Sequence, residues 1–315
     1  MKHFILANKP DKNNIIRLEG SDYHYLVRVR RLAVGEYFPA LLPPDAKYPA
    51  GNEVLVLVQS VDDKVLVGKC IENKDCGVSG DNVLSLDAKT GKISPQSAGQ
   101  YAGVSMPAII LFQSLPKGDK MDLIVRQAAE GALAEIVPFV SEFSVVKGKA
   151  KSKNSATAIK ASTASGIGGQ KIARWERIIK EARQQSGSVI ATKVRQPLSM
   201  DELFEYWNEL KLQGQENQSI AQGVMQGVLG LFFHHLPLEQ ASLHSYLDKK
   251  AQIVVLVIGP EGGFSNAEAA RFLEAGFRPL TIGDTVLRTE TAALYGAAAI
   301  RTILLERNSW ELKQI

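Results

Sequence analysis

The rhythm of hydrophobic and polar positions changes near residue 105. Before it, apolar runs are short, as in Glu53-Val54-Leu55-Val56-Leu57-Val58 and Lys64-Val65-Leu66-Val67-Gly68-Lys69-Cys70-Ile71, and Gly51-Asn52, Asp62-Asp63 and several prolines separate them. Short strands broken by turn residues predict a small β-domain or barrel. Residues 79–105 are polar and glycine-rich and read as a long loop or linker. The expected division is therefore residues 1–104 for the β-domain with its linker and residues 105–315 for a second domain.

After residue 105 the pattern alternates between two periods. Ala108 to Leu115 reads as a buried strand, followed by Pro116-Lys117-Gly118 and a helix from about Asp119, with Met121, Ile124, Val125, Ala128 and Ala132 on one stripe. A strand around Glu135 to Val140, a helix around Arg174 to Ser186, an apolar run Val228 to His234 and a strand Ile253 to Val257 follow. This alternation predicts an α/β fold with a mostly parallel sheet. The last element, Thr291 to Glu306, is apolar nearly all round and rich in Ala, which predicts a helix buried on several sides.

Two glycine turns stand at strand ends. Ile258-Gly259-Pro260-Glu261-Gly262-Gly263-Phe264-Ser265 follows one strand, and Ser265-Asn266-Ala267-Glu268 has the spacing of a capping box, so a helix should begin there. Such a loop, outside the carboxyl end of a strand, lies where open α/β sheets bind ligands. It has neither the G-x-G-x-x-G spacing of a dinucleotide site nor the Gly-Lys-Ser/Thr of a phosphate loop. About twenty residues on, Leu280-Thr281-Ile282-Gly283-Asp284-Thr285-Val286-Leu287-Arg288-Thr289-Glu290-Thr291 reads as another short strand and glycine turn opening the last helix. Two such turns are expected to line one cleft.

Composition narrows the class. With 45% hydrophobic and 22% charged residues the chain has no signature of disorder, and no apolar stretch approaches the roughly 20 residues of a membrane span. The N-terminus lacks a secretory signal pattern, so the expected compartment is the cytoplasm. Cys70 and Cys76 are too few for a disulfide framework and read as free thiols. His234-His235 suggests a metal, but neighbours on a strand face opposite ways and no acidic or Cys partner stands at ligand spacing, so no metal is expected. The net charge is a mild +4, whereas from Phe143 through Trp175 there is no acidic residue among Lys147, Lys149, Lys151, Lys153, Lys160, Lys171 and Arg174. That stretch reads either as a solvated loop or as a basic arm for RNA phosphates.

The two C-terminal motifs, together with the earlier SLPKGDKMDLIVRQAAE, resemble the signature set of the SPOUT superfamily of S-adenosylmethionine-dependent RNA methyltransferases. Within it the chain is similar to the enzymes that methylate N3 of a uridine in bacterial small-subunit (16S) ribosomal RNA. The resemblance implies a SPOUT-type parallel sheet with a C-terminal trefoil knot that holds the methyl donor, a small N-terminal PUA-like β-barrel that binds RNA, and a homodimer. His24-Tyr25-Leu26-Val27-Arg28-Val29-Arg30-Arg31-Leu32 matches the start of that barrel. Helical spacing puts His24, Arg28 and Arg31 on one face and Tyr25, Val29 and Leu32 on an adjoining apolar stripe. Some positions depart from the family pattern: Arg30 stands where Leu is usual, Ala129-Glu130-Gly131-Ala132 where Thr-Glu-Leu-Gly is usual, and Ser188 where an Arg is usual. Lys193 and Arg195 are the nearby cations that could take that Arg's part.

By this resemblance, donor binding falls to Leu231, Gly259, Pro260, Glu261, Gly262, Gly263, Ile282, Gly283, Leu287 and Thr291. RNA binding falls to His24, Arg28, Arg30, Arg31, Lys117, Arg126 and Arg174. A uracil N3–H spreads negative charge onto O2 and O4 as its proton leaves, which a guanidinium can stabilise without itself deprotonating. Arg288 is the candidate for that role. Glu290 and Glu261 are the candidate catalytic carboxylates, one to accept the proton and the other to hold the cationic donor or cap a helix. Two other readings of the same fold stay open: a non-catalytic RNA-binding or ribosome-assembly factor, and a ribose 2′-O-methyltransferase, against which the N-terminal barrel pattern argues.

Overall fold

The computed structural model describes residues 3–43, 53–72, 84–86, 93–95, 107–144, 169–188, 190–216, 227–234, 238–247 and 251–309. Its contacts divide the chain into two compact units, Met1–Val104 with Arg183–Ala191, and Ser105–Ala182 with Thr192–Ile315. His235, Cys76 and the heart of the basic stretch, residues 145–168, lie outside the described residues.

The first unit is a curled five-stranded sheet of the PUA-like barrel type, in the order β1 (Phe4–Ile5), β3 (Tyr37–Leu41), β4 (Glu53–Val61), β5 (Val65–Glu72), β2 (Ile15–Glu19). All pairs are antiparallel except β1 with β3, and a register shift between Val58 and Ser60 bends β4. Phe4, Leu26, Phe38, Val56 and Leu66 fill its core. Two expectations need correction here. The loop read over residues 79–105 contains a small antiparallel pair, β6 (Leu84–Leu86) with β7 (Ile93–Pro95). The basic helix is only a short turn, α1 (Gly20–Tyr23), continued by a π-helical stretch His24–Val29.

That wider winding, with the Arg30 N–H donating to the Tyr25 carbonyl five residues back at 2.9 Å, rotates the faces away from a 3.6 period. Leu26 and Tyr23 are therefore the buried anchors, while Val29, expected on the apolar stripe, is 59% exposed. Arg31 has left the helix altogether, at φ 58°. His24, Arg28 and Arg31 are exposed and Arg30 is half-buried.

The second unit is a three-layer α/β/α sandwich. Its six-stranded sheet runs β10 (Lys193–Val194), β9 (Glu135–Phe139), β8 (Ala108–Ser114), β12 (Ile253–Ile258), β11 (Val228–Phe233), β13 (Arg278–Leu280), and every pair is parallel. Alternation along the strands builds two cores. Ile109 and Leu111 of β8, with Val254, Leu256 and Ile258 of β12, join the layer of α2 (Lys120–Glu130), α3 (Gly169–Ser186), α5 (Leu243–Leu247) and α7 (Thr289–Ser309). Ile110 and Phe112, with Val255 and Val257, join that of α4 (Met200–Glu216) and α6 (Asn266–Glu274).

Local signals explain most boundaries. Ser265 caps α6: its side chain accepts from the Glu268 N–H at 3.2 Å, and Glu268 accepts in return from the Ser265 N–H at 3.0 Å. Ala132, expected on the α2 stripe, lies beyond the helix end at φ 56°. The strand read at Leu280-Thr281-Ile282 comes earlier, at Arg278–Leu280, so that Ile282 is a loop residue. On α7, Ala292, Ala293, Ala297 and Ile300 are buried, but Leu294 and Tyr295 are 44% and 54% exposed, so one flank of that helix is uncovered in a single chain. No helix among the described residues is long and apolar enough to cross a membrane.

One glycine sets the depth of a layer. A Cβ on Gly230 of β11 would stand 2.4 Å from the Phe277 ring and 2.8 Å from the Trp207 ring, both fully buried. Overpacking of this kind costs about 1–3 kcal/mol. Gly230→Ala is therefore expected to lower the unfolding free energy by that amount, seen as a lower denaturant midpoint with an unchanged slope of the transition.

A candidate ligand cleft at the carboxyl ends of the strands

Because the strands are parallel, β8, β11, β12 and β13 all end on one edge of the sheet. The loops that leave β12 and β13, with the end of β11, line a cleft of about 520 Å³, within the usual range of small-molecule sites. Its walls are Gly259 to Phe264 from one loop and Thr281 to Thr289 from another, with Phe233, His234, Ile258, Leu280 and Ala292 at its base. The two glycine turns thus do meet across one cavity, and Arg288 lies on its wall, exposed.

The first loop is held from several sides. The Gly263 N–H donates to the Pro260 carbonyl at 2.9 Å, with Gly263 at φ 71°. A Cβ on Gly259 would sit 3.4 Å from the Gly263 backbone, and one on Gly262 would sit 3.0 Å from the Phe143 Cβ. The Gly259 distance is an ordinary contact, whereas the tight approach of Phe143 favours glycine at residue 262 whether or not a ligand is bound. Glu268 extends its capping role by accepting from the Glu142 N–H at 2.7 Å, which fastens the β9 loop to the start of α6. In the second loop, the Thr281 N–H donates to Gln240 at 2.7 Å and the Thr281 hydroxyl to the His234 carbonyl at 2.9 Å.

The two candidate carboxylates share a cation that the sequence reading passed over. Lys120, at the start of α2, lies 2.8 Å from Glu261 and 3.3 Å from Glu290. The Lys117 backbone N–H adds contacts of 3.1 and 3.3 Å to the Glu261 carboxylate. Burial works to raise the Glu261 pKa, but the Lys120 hydrogen bond, backbone N–H donors and Lys120's charge outweigh it and hold the carboxyl below 4.5. Lys120 is held above 10.5, chiefly by its hydrogen bond to Glu261. The partner of Glu290 is thus Lys120, and Arg288 stands apart from that ion pair.

The remaining candidates scatter. Pro260, Ile282, Gly283 and Leu287 line the cleft, but Leu231 and Thr291 do not. Leu231 is fully buried among the sheet's core residues, and Thr291 is exposed on the first turn of α7. Lys117 and Arg126 are exposed, while Arg174 pairs with Asp122, which also accepts from the Trp175 indole at 3.1 Å. Lys193 and Arg195 are both exposed, but Arg195 is engaged by Glu135 at 2.6 Å and lies over the Tyr206 ring. Gln113, Lys120 and Thr289 are the polar residues that went unread. A glutamine closing the apolar run Ala108 to Phe112 was the available signal.

Residues 104–301 match the family model described as the RNA methyltransferase domain. The chain belongs to that family. Among curated relatives, ribosomal RNA small subunit methyltransferase E of Bacillus subtilis is 29% identical over 197 residues, 61% of this chain and 64% of that protein. Its namesake in Aquifex aeolicus is 30% identical over 59% of this chain and 65% of its own length. Both matches span just under two thirds of the relative. Ribosomal RNA small subunit methyltransferase E 2 of Borreliella burgdorferi is 26% identical over 98% of this chain and 100% of its own.

Solved structures share the RNA methyltransferase fold at low identity. Ribosomal RNA small subunit methyltransferase E of Neisseria gonorrhoeae, bound to S-adenosyl methionine, superposes with a TM-score of 0.64 at 20% identity, covering 96% of this chain and 98% of that one. A methyltransferase of Legionella pneumophila in complex with the same cofactor gives 0.59 at 20% identity, covering 96% of each chain. Among the described residues no cluster of His, Cys, Asp or Glu could hold a metal ion.

The Lys120 tie yields a titration. With its folded value below the ordinary 4.5, Glu261 stabilises the loop fully above pH 4.5 and loses that contribution as pH falls through the lowered value. In carboxyl-carbon NMR the Glu261 midpoint is expected below 4.5, and Lys120→Met is expected to move it upward.

Proposed function

We propose that the chain methylates N3 of a uridine in small-subunit ribosomal RNA, with S-adenosylmethionine as methyl donor. One observation carries the reading: the two glycine loops, far apart in sequence, form one cleft with Arg288 on its wall, at the end of the sheet where α/β folds take ligands. The relatives named for small-subunit ribosomal RNA methylation and the neighbours bound to S-adenosylmethionine support it.

The cleft suits such a donor in size and in its lining of loop backbone with Ile258, Leu280, Ile282 and Leu287. When bound, the donor supplies a methyl group on a positively charged sulfur. The chain's own part is to bind and align, since an in-line displacement depends on positioning. Gly259, Pro260, Gly262, Gly263, Ile282, Gly283 and Leu287 form the donor walls. Arg288 stabilises the charge that gathers on the uracil oxygens as N3 loses its proton. Glu261, tied to Lys120 and the Lys117 N–H, is a loop anchor, which leaves Glu290, half-buried beside Lys120 and outside the cleft lining, as the carboxylate to take the proton through water. Exposed Arg28 and Arg31 on the N-terminal unit, with Lys117 and Arg126, supply cations for RNA phosphates, and exposed His24 a ring N–H donor.

The homodimer and the knot belong to the same proposal. A second copy would cover the open flank of α7 at Leu294 and Tyr295, beside a small apolar pocket between α2 and α7. The knot is supported by the strand order, in which β13 pairs with β11 while the next element, α7, packs on β12 and β8. The proposed compartment is the cytoplasm, where ribosomal RNA is modified.

Arg288→Lys is the direct test. It is expected to lower kcat about 10²-fold on ribosomal RNA, because a lysine cannot present the planar fork. Donor affinity by calorimetry should change by no more than about threefold. Turnover at the natural rate would remove Arg288 from the chemistry. Absence of donor binding by the natural chain would favour a non-catalytic RNA-binding factor.

A further inference from the structure

Gln113 is the penultimate residue of β8, paired in register with Ile258, and it is fully buried. A buried amide persists only if its hydrogen bonds justify its place. Its Nε2 donates to the Ser114 carbonyl at 2.8 Å and to the Thr289 Oγ1 at 3.0 Å, while its Oε1 is buried without a hydrogen-bond partner among the described residues, so both bonds that hold the amide run through its nitrogen. A carbonyl can only accept, so the Ser114 contact fixes which end of the amide is nitrogen. The Thr289 hydroxyl therefore accepts from Gln113 and has its single hydrogen free for one direction. That hydrogen goes to the Gly259 carbonyl, at 2.7 Å.

The chain of bonds has a fixed polarity, from Gln113 through Thr289 to Gly259. Residue 260 is proline, so the peptide after Gly259 offers no N–H and is held through this carbonyl. At the other end, Ser114 is anchored by its hydroxyl to Ser141 and Ser144, each at 2.8 Å. Thr289 lies between Arg288 and Glu290, and the Ala292 N–H closes on the Arg288 carbonyl at 2.7 Å, so α7 starts at this point. One buried amide thus sets the spacing between the glycine loop and the residue next to Arg288.

We infer that Gln113 and Thr289 are positioning residues for methyl transfer, acting by fixing the direction of the Thr289 hydroxyl and so the separation of the Gly259 loop from Arg288. The inference rests on the methyltransferase reading above. A merely structural pin would weaken stability, donor binding and turnover together. A positioning pin lowers turnover while donor binding persists.

The test uses the full chain with S-adenosylmethionine and small-subunit ribosomal RNA. Thr289→Val keeps the shape and removes the hydroxyl; Thr289→Ser restores a hydroxyl; Gln113→Met keeps length and removes the donor. Thr289→Val and Gln113→Met are expected to lower kcat about 10²-fold, the scale of a misplaced catalytic group, with donor Kd within about threefold. Thr289→Ser should return kcat to within about threefold of the natural chain. In the ligand-free protein, the Gly259 carbonyl-carbon resonance should move in Thr289→Val and return in Thr289→Ser, which tests the bond without any activity.

Unchanged kcat in Thr289→Val, a Thr289→Ser protein as inactive as the valine variant, or an equal loss of donor binding and turnover would each overturn the positioning role alone. An unmoved Gly259 resonance in a folded Thr289→Val protein would do the same. If the natural chain binds no S-adenosylmethionine, the methyltransferase reading falls and takes the positioning role with it.

Discussion

The site depends on one constraint: every strand of the second unit points the same way. Parallel pairing sends the chain back through a helix after each strand, so turns far apart in sequence gather on a single edge. Residues 259–263 and 281–289 are neighbours for this reason, although nearly twenty residues separate them in sequence. What local chemistry then adds is fine spacing. A threonine hydroxyl on a glycine carbonyl, a lysine shared by two carboxylates and a capping glutamate with an extra client convert a gathering of loops into a shaped wall.

Charge in the cleft is arranged for holding as much as for reacting. Glu261 is pulled below its ordinary range by donors on the loop into α2, so its proton affinity is low and its service is to fasten one loop to another. Arg288 is exposed on the wall and apart from that ion-pair cluster. The cleft region thus holds a tethered carboxylate at Glu261 and an open guanidinium at Arg288.

Much of this was legible from residues alone. Ser265 and Glu268 announced the start of α6, the unbroken apolar runs Ala108 to Phe112 and Ile253 to Val257 announced strands buried on both faces, and the glycine turns announced the cleft. Periodicity misread the basic segment at His24, because a π-helical winding shifts which side chain faces inward, and no propensity of those residues signals it. The family resemblance also included Leu231, whose strand reaches the cleft lining only at its last residue, Phe233, with His234 just beyond. Lys120 and Thr289 escaped notice because their partners lie 141 and 30 residues away, at Glu261 and Gly259, and such pairing exists only once the sheet has formed.

The contact of Glu142 with Glu268, and of Phe143 with Gly262, gives the β9 loop a hold on a wall it does not itself line. Substitutions at residues 141 to 143 can thus reshape the cavity from behind. Comparisons of relatives confined to residues facing the ligand would overlook this buttress, although it bears on which shapes the cavity can take.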